Sequence, residues 1–223
     1  MAAAAIVLGL AAFNSEGQVY LYNNSAPSSD QTQRLSAADN LWFGDEVILG
    51  GNYPGNSTMS HFDFQYWAQG TSGLTIDVAL LYNTGPLSSG YASPDFGNAV
   101  YTFSGFGLSD TARNTLSFDA GVDFSPAGIN LTQGTLTLAV RFHFNGGGGS
   151  AGVDLYNPPV EGSSLPDFWL WDPLSSSWQL STNNVFGTVN FGMTVAAPEP
   201  TSFSIFILGG LMMVGFRRFF HRK

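Results

Sequence analysis

The chain has 223 residues, of which 44% are hydrophobic and 14% aromatic, a formal net charge of -9 and no cysteine. That is enough apolar material for one sizeable core, and the missing cysteines exclude a disulfide scaffold, thiol catalysis and thiolate metal sites. Only seven residues are Lys or Arg, and four of them (Arg217, Arg218, Arg222 and Lys223) lie at the very end, so the acidic body repels phosphate backbones and no nucleic-acid partner is expected.

The first element is an apolar run, Ala2–Phe13, followed by small and polar residues. It is shorter than the roughly 20 apolar residues a spanning helix needs and suits the apolar region of a secretory signal peptide over 1–17. Ser15 and Gly17 occupy the small positions before a cut ahead of Gln18. No Lys or Arg precedes the run, so the signal is either atypical or begins upstream.

The body, 18–196, reads as strand after strand. Val19–Tyr22 and Glu46–Leu49 are short candidates. His61–Ala68 sets Phe62, Phe64 and Tyr66 on one face and His61, Asp63, Gln65 and Trp67 on the other. Leu74–Tyr82 aligns Leu74, Ile76, Val78 and Leu80, and two shorter runs follow at Ala99–Ser104 and Leu116–Phe118. Thr135–Phe144 aligns Leu136, Leu138, Val140, Phe142 and Phe144. Val153–Tyr156, Asp167–Asp172 and Trp178–Leu180 are brief, and Val185–Val195 stacks Val185, Val189, Phe191, Met193 and Val195. Alternation with a period of two and one apolar face predicts antiparallel strands with one face solvated. Gly- and Pro-rich clusters such as "GGNYPGNST", "NTGPLSSG" and "NGGGGSAG" separate them as turns. The predicted fold is an all-β antiparallel sandwich, jelly-roll-like because its strands differ in length.

Chemistry-bearing residues are sparse. His61 and His143 each sit opposite an apolar face; paired on a sheet surface they would still lack the third ligand a metal needs. Asp63 and Asp77, on strands that could be neighbours, and Asp45-Glu46 or Asp167 and Asp172 at strand ends, offer carboxylate pairs, yet nothing selects one for glycosidic chemistry. No metal, cofactor or enzymatic activity is expected. The most suggestive stretch is "PDFWLWDPLSSSWQL", Pro166–Leu180. As a hairpin it puts Trp169 and Trp171 on one face, with Trp178 across the turn, and Phe168 and Leu170 on the other. If the tryptophans face outward they form an aromatic platform on which a sugar ring could stack, with Asp167, Asp172 and Gln179 beside it; if not, they are core. The first case makes the body a carbohydrate-binding module.

The chain closes with "APEPTSFSIFILGGLMMVGFRRFFHRK". The apolar part, 201–216, predicts a single hydrophobic helix that rises about 24 Å at ~1.5 Å per residue, short of a hydrocarbon core of about 30 Å. The basic residues behind it act as a stop signal on the cytoplasmic side. Pro198-Glu199-Pro200, the apolar run and Arg217-Arg218, in that order, resemble the PEP-CTERM sorting signal. That resemblance implies an exported protein of a Gram-negative bacterium that makes exopolysaccharide. Pro198, Glu199 and Pro200 would be the motif read by an exosortase-type processing enzyme, and the membrane a transient partner. "QVYLYNN", "GDEVILGG" and "DLYNPPVEGSSLPDFWLW" are similar to stretches of small exported PEP-CTERM proteins. The implied role is non-enzymatic, in the cell envelope or the extracellular polysaccharide of a biofilm matrix.

Overall fold

Runs in which aromatic and β-branched residues alternate with polar ones fit a pleated, half-buried surface, and those runs become the strands. The computed structural model describes residues 18–25, 33–70, 72–156, 158–165, 167–182 and 189–198. The expected signal peptide over 1–17, Glu199, Pro200, the apolar segment and the basic residues Arg217, Arg218, Arg222 and Lys223 lie outside them.

In chain order the strands are β1 (Gln18–Asn24), β2 (Gln33–Ser36), β3 (Trp42–Ile48), β4 (Ser57–Met59), β5 (His61–Gln69) and β6 (Thr75–Tyr82). Then come β7 (Leu87–Ser88), β8 (Tyr91–Ala92), a single 3-10 turn at Phe96–Asn98, β9 (Ala99–Gly107), β10 (Thr111–Asp119) and β11 (Ile129–Leu131). The last are β12 (Thr135–His143), β13 (Ser150–Leu155), β14 (Ser163–Ser164), β15 (Asp167–Asp172), β16 (Ser177–Thr182) and β17 (Met193–Pro198).

Two antiparallel sheets hold most of them. In the smaller, β5 is the hub: β10 runs along one edge, from Thr111 opposite Ala68 to Asp119 opposite His61. The other edge is shared, with β17 pairing Phe62 and Phe64 and β13 pairing Tyr66 and Ala68. β1 flanks β17, and β2 flanks β13. The larger sheet runs β16-β15-β3-β12-β6-β9, with β14 also on β3. Its central register sets Leu138 between Asp45 and Leu80. Short ribbons, β4 with β11 and β7 with β8, complete the pairing.

The sheets share one core, the arrangement of a β-sandwich. Phe62, Phe64 and Tyr66 of the smaller sheet and Val78, Leu80, Leu136, Leu138, Val140 and Phe142 of the larger belong to a single buried cluster. The rings cross the interface: Phe43 meets Phe191 edge-on at 5.7 Å, and Phe62 meets Phe103 at 6.1 Å. The faces read from His61–Ala68 and Thr135–Phe144 are those that turn inward, and Val189, Phe191, Met193 and Val195 are all fully buried. Of Val185–Val195 only 189–195 are described, and among these the strand begins at Met193.

Three expectations are corrected. The larger sheet has no solvated face at its centre, because Ala79, Leu81, Ala139, Trp169 and Trp178 form a second core on its outer side. β5 and β6 lie in different sheets, so Asp63 and Asp77 are not neighbours; His61 and His143 are likewise separated. Asp45 and Glu46 stand in the middle of β3 rather than at its end.

Candidate functional site

The hairpin β15–β16 pairs Trp171 with Trp178 and Trp169 with Leu180. Residues in direct register share a face, so these four side chains stand together on the outer side of the larger sheet. Phe168 and Leu170 point the other way, Phe168 into the core between the sheets and Leu170 against it. The two-faced pattern read from the sequence is therefore present. Its outward face is not open, however, because residues 83–98, joining β6 to β9, fold back across it. Phe96 presses on Trp178 (5.5 Å, 28°) and meets Trp171 and Trp42 edge-on at 5.5 and 5.4 Å.

The consequence for the aromatic platform is direct. Trp169 is 0% exposed and Trp178 4%, while Trp171 is half-buried. A flat platform of Trp169 and Trp171 is absent. What exists is a groove of about 350 Å³ between the hairpin and the returning segment. Its walls include Leu87, Ser88, Phe96, Trp171, Ser177 and Trp178. Sequence reasoning missed the segment's half of it. The signal was a connection longer than the roughly 12–15 residues beyond which a loop in a compact domain is usually functional.

The segment is held by its own polar contacts. Asp95 caps the 3-10 turn, accepting from the Gly97 N–H at 2.8 Å and from Asn98 Nδ2 at 2.7 Å, with Thr84 Oγ1 at 3.1 Å. Those donors, led by the Gly97 N–H, hold its carboxyl below the usual range. The β7–β8 turn places Ser89 and Gly90 at φ 53° and 89°, the left-handed pair of a tight hairpin turn. Ser88 Oγ accepts from the Leu180 N–H at 3.4 Å, so the segment also touches the edge of β16. Beneath it, Glu46 accepts from Trp169 Nε1 at 3.4 Å and from Asn83 Nδ2. Asn83 in turn accepts from Thr137 Oγ1 at 2.7 Å. Burial pushes the Glu46 carboxyl up.

Asp77, Arg141 and His143 form a second polar cluster on the same outer face. Arg141 donates twice to Asp77 Oδ2, at 3.1 and 2.6 Å, and lies 4.8 Å from the centre of the Trp42 ring. His143 Nε2 is 2.8 Å from that oxygen. Burial works against the charge on Asp77, but these donors prevail and its pKa is lowered. On the smaller sheet His61 sits between Asp63 (2.9 Å) and Asp119 (2.7 Å). These carboxylates, Asp63 first, raise its pKa to about 9. Between the sheets, Asp45 accepts from the Phe191 N–H at 2.7 Å and from Ser164 Oγ at 2.9 Å, and burial pushes its carboxyl well up. Each of these groups is engaged with its neighbours.

Arg34 and Arg113 behave like Arg141. Arg34 pairs with Asp154 (3.4 Å) and lies over Trp67, and Arg113 reaches Gln65 (2.8 Å) and lies over Tyr156. Among the described residues no group of three His, Asp or Glu side chains is placed to hold a metal ion. No helix among them is long and apolar enough to cross a membrane. Of the sorting-motif residues only Pro198 is described, and it ends β17.

Fold and site together define an all-β protein of two antiparallel sheets with an aromatic groove on one outer face. No protein-family model matches the chain, and no curated protein matches it. Among solved structures it is similar to that of infectious bursal disease virus Gx strain, at 14% identity and a TM-score of 0.25, over 74% of this chain and 36% of that one. The Gt strain structure is similar at 12% identity and the same TM-score, over 82% of this chain and 40% of that one. The chain thus spans about two fifths of the length of these structures, and a likeness of that extent says nothing of what it does.

Proposed function

We propose that this chain is an exported, non-enzymatic protein of the cell envelope or of extracellular polysaccharide, sorted through its C-terminal segment. The observation that carries the reading is the order of parts in 197–223: Pro198-Glu199-Pro200, an apolar run, then Arg217, Arg218, Arg222 and Lys223. In this reading 1–17 is a signal peptide, 201–216 a single hydrophobic helix held transiently in the membrane, and an exosortase-type enzyme the processing partner. The position of the motif supports it, since β17 is paired through Ala196 opposite His61 and ends at Pro198. By sequence, prolines on either side of a glutamate favour an extended backbone, which suits a motif read by a processing enzyme. A structural task is supported by Asp45, Asp77, His61 and His143, which are engaged in hydrogen bonds and ion pairs within the body. The chain also passes repeatedly from sheet to sheet, β5 to β6, β9 to β10, β12 to β13 and β16 to β17, and we read the sandwich as jelly-roll-like on that ground.

The test is deletion of Pro198–Lys223 in a host that carries the processing enzyme. The full chain should fractionate with the envelope or matrix and the shortened one with the free medium. Identical distributions would sink the reading.

A further inference from the structure

We infer that the groove between the β15–β16 hairpin and residues 83–98 binds a neutral saccharide, with Trp171 as the stacking ring and the edge of β16 as the source of backbone hydrogen bonds. The inference is independent of the sorting reading, because it rests on the body alone.

Size and shape come first. A groove of about 350 Å³ falls within the ~300–1,000 Å³ range of small-molecule sites. Its lining combines the rings of Trp171, Trp178 and Phe96 with hydroxyl-bearing residues of the returning segment, Ser88 and Ser93. Aromatic faces beside hydroxyls suit a ligand with one C–H-rich face and a rim of hydroxyl groups. Phe96 is 37% exposed and Leu87 74%, so apolar surface is presented at the mouth rather than sealed inside.

Charge decides the ligand's class. Among the described residues no Lys, Arg or His lines the groove, and the one ionisable group there, Asp95, is consumed by Gly97, Asn98 and Thr84. An anionic sugar or a phosphate would find no counter-charge there. A cation would have to compete for a carboxylate already holding three donors.

The hydrogen-bonding capacity comes from the sheet edge. Among the described strands β16 pairs with β15 alone, on one side. The Leu180 N–H points away from β15, toward Ser88, and strand geometry sends the N–H and C=O of Trp178 to the same side. An extended peptide adding to this edge is the weaker candidate. Ser88 already occupies the edge at Leu180, and strand addition draws its affinity from several consecutive backbone bonds.

The experiment titrates the purified full chain with neutral hexasaccharides (α-1,4- and β-1,4-glucans, a β-1,3-glucan and a mannan), with a polyuronate and a random extended peptide as comparators. Tryptophan emission and calorimetry are the readouts. At least one neutral hexasaccharide should shift the emission with millimolar affinity or better. Trp171→Ala should weaken it by about tenfold, the ~1.4 kcal/mol scale of one stacking contact. Because Trp171 is half-buried, Leu87→Glu is the fold-safe companion: it changes a mostly exposed side chain at the mouth and should weaken binding by a comparable factor at an unchanged melting temperature. Leu174→Ala, 96% exposed on the hairpin turn and outside the groove, should bind as the parent does. The inference is overturned if no neutral hexasaccharide binds. It is equally overturned if Leu87→Glu and Trp171→Ala bind as the parent, or if only the polyuronate or the peptide binds.

Discussion

The ring of Phe96 lies 5.5 Å from that of Trp178, inclined by 28°, and this contact covers Trp178 on the outer face of the larger sheet. It joins a segment between β6 and β9 to the far edge of the same sheet. A double-mutant cycle on Phe96→Ala and Trp178→Ala should show coupling of about 0.5–1.5 kcal/mol, as aromatic pairs do beyond their burial. Urea midpoints of the four proteins measure it; strict additivity would mean that the segment does not hold the hairpin.

Trp169→Ala should be far more damaging. Its ring is fully buried and its indole N–H serves Glu46, so truncation opens a cavity and strips a donor from a buried carboxyl. We expect a loss of about 3–5 kcal/mol, read as a large fall in the urea midpoint. A stability change within ~0.5 kcal/mol, the usual range of a surface substitution, would contradict the second core.

His61 makes stability depend on pH in the alkaline direction. Its folded pKa is about 9 against an ordinary 6.5, raised first by the hydrogen bond to Asp63 and then by Asp119, with burial opposing. A raised basic pKa means that the folded state holds the proton more tightly than the unfolded state. The stabilisation is thus fully present below pH 6.5 and disappears as the pH rises through 9. His61→Gln should flatten the urea midpoint between those values. A parent profile that is already flat there would refute the charged imidazole.

Asp45 is expected to behave in an opposite way to a surface acid. Burial raises its folded pKa well above 3.8, so its favourable contribution belongs to low pH and fades as the pH climbs. Asp45→Asn keeps an acceptor for the Phe191 N–H and removes the charge, and should be as stable as the parent or more so at pH 8. Asp45→Ala leaves that buried N–H unpaired and should cost about 1–3 kcal/mol. Chemical denaturation of both at pH 8 decides; equal loss in both variants would mean that the charge itself is needed.

Gly152 is a packing requirement. It pairs with Ser36 between β13 and β2, and a Cβ there would collide with the carbonyl of Leu35. Backbone cannot rotate aside as a side chain can, so Gly152→Ala should destabilise by about 1–3 kcal/mol and speed amide exchange in β2. Unchanged exchange across Gln33–Ser36 would show that β2 gives way freely.

Local alternation was enough to determine the all-β class, the inward faces of β5, β6 and β12, and the two faces of the Trp169–Trp171 strand, because side-chain direction in a strand follows from position in the chain. The resemblance of residues 197–223 to a sorting signal is also a property of sequence alone. Only the tertiary structure decided which strands share a sheet. β5 and β6 are consecutive yet lie in opposite sheets, so Asp63 and Asp77, and with them His61 and His143, were parted. It also decided that the centre of the larger sheet is covered on both faces. Burial depends on what folds over a surface, and here the cover is residues 83–98, whose turn-like composition shows no alternation to read. The groove exists for the same reason: Trp171 comes from one part of the chain and Phe96 from another, and nothing short of the fold brings them within 5.5 Å.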